Sequence, residues 1–303
     1  MPFAADMGRA PLRHSFMPLY SPGLWLAVTF MPPSQGCEPM AQYAIGVSAS
    51  PIASTSEPAS RMPSITAPAI SGELVRTRKA ELGVSFDGDA DRCCFVDETG
   101  RTVGNDLMTA LLACDVLKKH PRAPIVYDLR SSWVVKEEIA KHGGLPIRDR
   151  VGHSFIKATM RERKAVFGGE LSGHFYFADN FTCDSGMLAM ISALNLIAGE
   201  KRRFSELVAG LRRYHSTGEI NFHVEDKAAA IAGLKKKYAD GRQDELDGIT
   251  VEFGELGGRE WWWFNVRPSN TEPLLRLNLE ASSVNLRDRR RDEIVSALGE
   301  PEA

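Results

Sequence analysis

Gly83-Val84-Ser85-Phe86-Asp87-Gly88-Asp89-Ala90-Asp91-Arg92-Cys93-Cys94-Phe95-Val96 decides the fold class. A strand-like run ends in three carboxylates on alternate positions, and a second strand-like run leaves them. The text that follows keeps alternating. Pro124 to Asp128 has buried-strand character, Ser131 or Ser132 opens a helix that closes at Gly143-Gly144, and Leu145-Pro146-Ile147 resumes as strand. A helix led by Asn105 or Asp106 precedes them, with apolar positions Leu107, Leu111, Cys114 and Leu117. Another follows His153. Ala165 to Phe167 then predicts a strand into Gly168-Gly169, and a long helix carries Met187, Ile191, Leu194 and Ala198. Such alternation predicts an α/β layer with a mostly parallel sheet.

After Tyr214 the order changes. A lysine-rich helix (Asp226 to Tyr238) precedes strands at Ile249 to Phe253, Trp261 to Arg267 and Leu275 to Glu280, with a last helix around Leu286 to Leu298. This predicts a separate α+β domain. Trp261 and Trp263 fall on one face of their strand and Trp262 on the other, which fits core packing better than sugar stacking.

Before Ser71 the chain is different. Residues 1–71 hold 11 of the 17 prolines and 6 of the 10 methionines but only six charged residues, with no sustained helical or strand period. A net charge of −2 leaves no footprint for nucleic acid or an anionic membrane. The longest early apolar run, Leu24 to Met31, is bracketed by Pro22 and Pro32 and is too short to span a bilayer. Five cysteines without a CxxC pair predict reduced thiols in a cytoplasmic protein.

Three constellations carry chemistry. Asp87, Asp89 and Asp91 repel one another unless a hard cation neutralises them, and an all-oxygen set suits Mg²⁺. A solvated acidic turn is the plain alternative. An EF-hand loop is excluded because Arg92 stands where it needs glycine, and a haloacid-dehalogenase phosphatase would want Thr or Val at Asp91. The loop Gly169-Glu170-Leu171-Ser172-Gly173-His174 presents a carboxylate, a hydroxyl and an imidazole, which suit sugar hydroxyls and equally suit an ordinary surface turn. Arg267-Pro268-Ser269-Asn270-Thr271-Glu272-Pro273 gathers donors for phosphate oxygens, with Arg276 as a further fork, or forms a polar turn. His153, just before a helix, is a structural or a catalytic imidazole.

Together DGDADR, DLRSS (Asp128 to Ser132), VGHSFIK (Val151 to Lys157), GELSGH and RPSNTEP resemble the α-D-phosphohexomutases (phosphomannomutase/phosphoglucomutase), in the family's order and over about residues 72 to 285. The resemblance implies four domains around one cleft. Residues 72–103 would be a remnant of domain 2 with the metal loop, 104–212 the α/β domain 3 with the sugar loop, and 213–303 the α+β domain 4 with the phosphate loop. Residues 1–71 match nothing in the family.

By that resemblance Asp87, Asp89 and Asp91 would hold Mg²⁺, with Arg92 beside the phosphoryl-transfer centre. Glu170, Ser172 and His174 would bind the sugar. Arg267, Ser269, Asn270, Thr271 and Arg276 would hold the phosphate that is not moving. His153, a candidate for proton transfer, and Arg130 would lie in the cleft. The reaction implied interconverts hexose 6-phosphate and hexose 1-phosphate through a phosphoserine and a 1,6-bisphosphate. The family's TASHNP-like serine motif is absent from this sequence; Val47-Ser48-Ala49-Ser50-Pro51 has only Ala-Ser in common with it. The sequence thus reads as N-terminally truncated, impaired in turnover or reduced to phosphosugar binding, with half a domain and exposed strand edges around residues 72 to 103.

Overall fold

A computed structural model describes residues 25–30, 43–46, 67–87, 89–255, 258–269 and 272–302, with backbone alone for 25–30, 43–46 and 67–71. Ser50, Cys37, Asn270 and Thr271 lie outside the described residues. The described residues form a mixed α/β architecture of three five-stranded sheets.

The first sheet contains β1 (Trp25–Phe30), β2 (Tyr43–Gly46), β3 (Leu82–Phe86), β4 (Cys93–Asp97) and β5 (Thr102–Val103), in the order β2-β1-β3-β4-β5, with α1 (Ala67–Arg78) leading into β3. Two sequence expectations are corrected here. Residues 1–71, where no period is visible, supply β1, β2 and the first turn of α1. The edge of β3 is not left open, because β1 pairs parallel to it from Leu26↔Leu82 to Phe30↔Phe86. The reason is legible afterwards. A short run such as Leu24 to Met31, apolar except for Thr29, has no alternation to detect, yet suits a strand in mid-sheet. β2-β1, β3-β4 and β4-β5 are all antiparallel, so this sheet is not the mostly parallel one that helix-strand alternation predicts.

The second sheet is built from α2 (Asn105–Lys119), β6 (Pro124–Asp128), α3 (Trp133–Lys141), β7 (Leu145–Asp149), α4 (His153–Arg163), β8 (Phe167–Gly169), β9 (Phe175–Phe177), β10 (Cys183–Asp184), α5 (Gly186–Glu200) and α6 (Phe204–Ala209). β6 runs parallel to β7 and β8, and β9 and β10 add an antiparallel edge. Ser132 caps α3 as expected, its side chain accepting from the Val134 N–H. α2 starts instead behind Gly104 without a side-chain cap. The face expected for α5 is also corrected. Met187 and Ile191 are exposed, while Ala189, Met190, Ala193 and Ile197 are buried. A helix apolar nearly all round has no period from which to choose a face.

The third sheet, β11 (His215–His223), β12 (Arg242–Asp244), β13 (Ile249–Phe253), β14 (Trp262–Pro268) and β15 (Leu274–Ala281), is antiparallel in the order β11-β15-β14-β13-β12. α7 (Lys227–Lys237) and α8 (Val284–Leu298) complete it. Trp262 enters this core, whereas Trp261 and Trp263 form a separate cluster with Trp133 of α3, as strand alternation requires. Trp133 stacks on Trp261 at 4.4 Å between ring centroids.

The contact between the second and third sheets carries buried charge. Glu280 Oε2 accepts from Trp133 N (2.9 Å) and Trp263 Nε1 (3.0 Å), and Arg148 donates to Glu252 at 2.7 Å. Glu280 is 3% exposed, and burial pushes its carboxyl from an ordinary value of 4.5 up to about 7. The fold therefore binds a proton that the unfolded chain has released between those two values, and stability falls as pH rises through that window. Glu280→Gln keeps an acceptor for both donors without the charge. Denaturant melts should show the variant losing less stability than wild type as pH rises through this window, and more stable than wild type above it, by about 3 kcal/mol.

Candidate functional site

Asp87 directly follows β3, and its side chain is 12% exposed. Its two carboxylate oxygens accept from the Arg92 N–H (3.1 Å) and Arg92 Nε (2.5 Å), closing the acidic turn on itself. Burial alone would push the Asp87 carboxyl up, but these bonds outweigh it and hold the group below its ordinary range. Asp91 goes the other way. Burial raises it, the charges of Asp87 and Asp89 add to the effect, and His174 opposes them. Asp91 Oδ1 is buried without a hydrogen-bond partner among the described residues. One carboxylate oxygen of each of Asp87, Asp89 and Asp91 lies within 4.8 Å of the others. Oxygen-only donors, mutual repulsion and an orphaned buried acceptor together fit a hard divalent cation.

The Gly169–His174 loop docks directly on this turn. The Cys93 N–H donates to the Gly173 carbonyl at 3.1 Å, and Arg92 and His174 form an isolated antiparallel bridge. Gly173 makes the approach possible. Its φ is +95°, and a Cβ there would stand 2.8 Å from the Cys93 carbonyl oxygen. His174 Nδ1 lies 2.8 Å from Asp184 Oδ2 and 3.8 Å from Asp91 Oδ2, while Lys157 pairs with the other oxygen of Asp184 at 2.7 Å. His153 is exposed at the first position of α4, with its ring centroid 6.3 Å from that of His174.

Glu170 is almost fully buried. It accepts from Tyr176 Oη and from the Gly152 N–H (3.2 Å), and burial followed by the charge of Asp128 raises its carboxyl. Ser172 Oγ is buried without a partner among the described residues. Asp128, at the end of β6, accepts from the Arg130 N–H (2.8 Å), Arg130 Nη2 (2.7 Å) and the Leu171 N–H (2.8 Å). Arg130 then lies 3.9 Å from both Glu170 and Glu219.

Glu219, in β11, leads to the remaining residues. It accepts from Arg267 Nη2 (3.2 Å) and Arg276 Nη1 (2.9 Å), residues that face each other across β14 and β15. Arg276 also pairs with Glu272, whose N–H donates to Ser269 Oγ at 3.2 Å. A continuous series of polar contacts thus joins the acidic turn, the glycine-rich loop, the turn after β6 and the arginines of the third sheet. Sequence reading found most of these positions and missed Asp184 and Glu219. Asp184 reads like any acidic residue before a helix cap. Glu219 sits beside a register shift between Ser216 and Glu219, which erases the alternation that would mark its strand.

Residues 104–214 match the family model for phosphoglucomutase/phosphomannomutase, alpha/beta/alpha domain III, and residues 219–297 match that for phosphoglucomutase/phosphomannomutase, C-terminal domain. The chain belongs to the phosphoglucomutase/phosphomannomutase family. A phosphomannomutase of Methanocaldococcus jannaschii is 43% identical over 229 residues, 76% of this chain and 50% of that protein. The phosphohexose mutases of Xanthomonas campestris pv. campestris are 40% identical over 230 residues, 75% of this chain and 50% of theirs. A crystal structure of a family protein from Burkholderia thailandensis superposes with a TM-score of 0.66 at 32% identity, covering 75% of this chain and 48% of that one. The chain therefore spans about half the length of these relatives. Among the described residues no helix is long and apolar enough to cross a membrane.

Gly173→Ala places a side chain both in a left-handed conformation and against a backbone carbonyl. It should cost about 1–3 kcal/mol, and hydrogen exchange should show the loss concentrated at the Cys93 amide, whose acceptor moves away.

Proposed function

We propose that this chain is the metal-bearing and sugar-phosphate-binding portion of a phosphohexomutase of phosphomannomutase/phosphoglucomutase type, with a hexose phosphate as substrate. The observation that carries the reading is the unbroken contact series from Asp91 and His174, through Glu170, Asp128 and Arg130, to Arg267 and Arg276. The working units of the reading are 72–103 for the metal turn, 104–212 for the sugar loop and 213–303 for the phosphate loop.

In this reading Asp87, Asp89 and Asp91 hold Mg²⁺, which when bound neutralises charge on the phosphoryl group in transfer. Arg92 adds a fixed cation beside that centre. Glu170 and Ser172 accept from and donate to sugar hydroxyls, and the unpartnered Ser172 Oγ supports this role. Arg267, Arg276 and Ser269 hold the phosphate that does not move, together with Asn270 and Thr271 of the same loop, and so fix the sugar's register. Transfer from a phosphoserine forms an oxygen–phosphorus bond at the sugar hydroxyl and breaks the one at serine. The hydroxyl proton leaves to a nearby base. His153 is the proposed acceptor, with His174, gripped at Nδ1 by Asp184, its neighbour. No TASHNP-like motif exists in these 303 residues, so in this reading they do not supply the phosphoserine donor. Without one the chain binds hexose phosphate and does not turn it over.

Three measurements test this. Millimolar Mg²⁺ should raise the melting temperature of the wild-type chain and leave Asp91→Ala unmoved; an equal shift in both would remove the metal from this turn. In calorimetric titrations glucose 6-phosphate should bind the wild type, and Arg267→Ala should weaken it by about tenfold or more. A coupled mutase assay with a trace of glucose 1,6-bisphosphate should show no turnover. Turnover lost in Asp89→Ala would locate a nucleophile within the chain, whereas no binding of glucose 6-phosphate would sink the reading.

A further inference from the structure

Three arginines from two sheets converge on one carboxylate. Arg130, which follows β6, lies 3.9 Å from Glu219, while Arg267 of β14 and Arg276 of β15 lie 3.2 and 2.9 Å from it. Asn278 adds a fourth donor at 3.5 Å. Arg130 and Arg267 are themselves buried, with side chains 9% and 2% exposed. The Nε atoms of all three arginines are buried without a hydrogen-bond partner among the described residues. Donor capacity here exceeds what one carboxylate satisfies, and unmet buried guanidinium donors point to a ligand with more oxygens than Glu219 has.

The charge tally narrows that ligand. Arg130 is already neutralised by Asp128, and Arg276 shares Glu272. Among the described residues Arg267 has only Glu219 within ion-pair distance. An incoming anion meets a cluster whose charge is balanced, so it binds only by taking over what Glu219 holds. A free monoanion gains nothing in that exchange, because the tethered carboxylate competes at a high effective concentration. A dianion of the same size interacts twice as strongly with each arginine and brings a third oxygen. Glu219 can give way. Its side chain is 25% exposed, and it borders the register shift of β11, where a strand re-aims its side chains.

We propose that Glu219 is the resident counter-ion of the distal phosphate subsite and makes that subsite selective for dianionic phosphate monoesters over monoanions. The proposal rests on the reading of Arg267 and Arg276 as phosphate ligands. Binding exchanges one internal ion pair set for another, and the affinity measured is the difference between the two. Glu219 therefore weakens every anion, and a monoanion most in proportion.

Calorimetric titration of the whole chain at fixed ionic strength tests this with two probes at about pH 8, where a phosphate monoester is dianionic. The probes are glucose 6-phosphate and glucuronate, a hexose with a carboxylate at the same end. Wild type should bind the first and not the second. Glu219→Gln should bind glucose 6-phosphate about tenfold tighter and bind glucuronate measurably, since an ionic competitor has become a neutral one. Glu219→Asp keeps the charge but shortens its reach, and should tighten glucose 6-phosphate by about threefold; it decides the matter alone if Glu219→Gln does not fold. Unchanged or weaker binding in a folded variant would show that Glu219 holds the arginines in place rather than competing with the ligand, and the proposal would fall while the function reading stands. Failure of glucose 6-phosphate to bind wild type and both variants would overturn both.

Discussion

A carboxylate removed from water must be neutralised inside the protein, and the fully buried Asp128 finds all its partners within two short loops. Its oxygens accept from the backbone and guanidinium of Arg130 and from the backbone of Leu171. The first two fix the turn that leaves β6. The third fixes the loop that leaves β8, the parallel neighbour of β6. Breaking such a buried pair from one side leaves the other charge stranded, at about 3–5 kcal/mol. Everything downstream inherits this constraint. Arg130 reaches Glu219 only because Asp128 holds it there, and the loop's far end meets Cys93 only because its near end is fixed at Leu171.

Sheet geometry explains why these groups meet. β6 and β8 are parallel and adjacent, so both end on the same side of the sheet, where their loops face the same space. The acidic turn arrives from a different sheet, whose Phe86, Cys93 and Phe95 share a hydrophobic core with Phe167 and Phe175, and backbone contacts of Arg92 and Cys93 tie the turn itself to the glycine-rich loop. The third sheet is joined through Glu280 and the tryptophan cluster, so its arginines are presented by a packed interface.

Much of this was legible in the sequence, for identifiable reasons. DGDADR, GELSGH and RPSNTEP are local: their residues lie within a few positions of one another, and their chemistry is written in their types. The helix cap at Ser132 was legible on the same ground. What failed was anything resting on a period that the residues do not display. β1 is apolar but for Thr29, α5 is apolar nearly all round, and β11 loses its alternation at a register shift. Glu219 fell in that last gap, although it touches more of the candidate site than several residues the motifs name. A carboxylate gains importance from partners distant in sequence, and no local pattern records them.

The two ends of the site solve one electrostatic problem in opposite ways. At the acidic turn three carboxylates are too many for Arg92 alone, which leaves Asp91 raised by burial and by its neighbours. At the arginine end burial, together with Arg130 and Arg276, lowers the basicity of Arg267, whose charge Glu219 balances while its Nε stays unmet. Each end is thus incomplete in its own sense, one wanting a cation and the other further acceptor oxygens. In the proposed reading, a phosphate ester reaching both ends would satisfy the second directly and the first through a metal. Because the imbalance is built by burial and not by net charge, a chain at −2 overall can hold both. The carboxylates of Glu170, Asp128 and Glu219 lie between the two ends and bind Arg130 from three sides. They keep the two ends from satisfying one another, which is why the middle of the site is the part where every charge is paired.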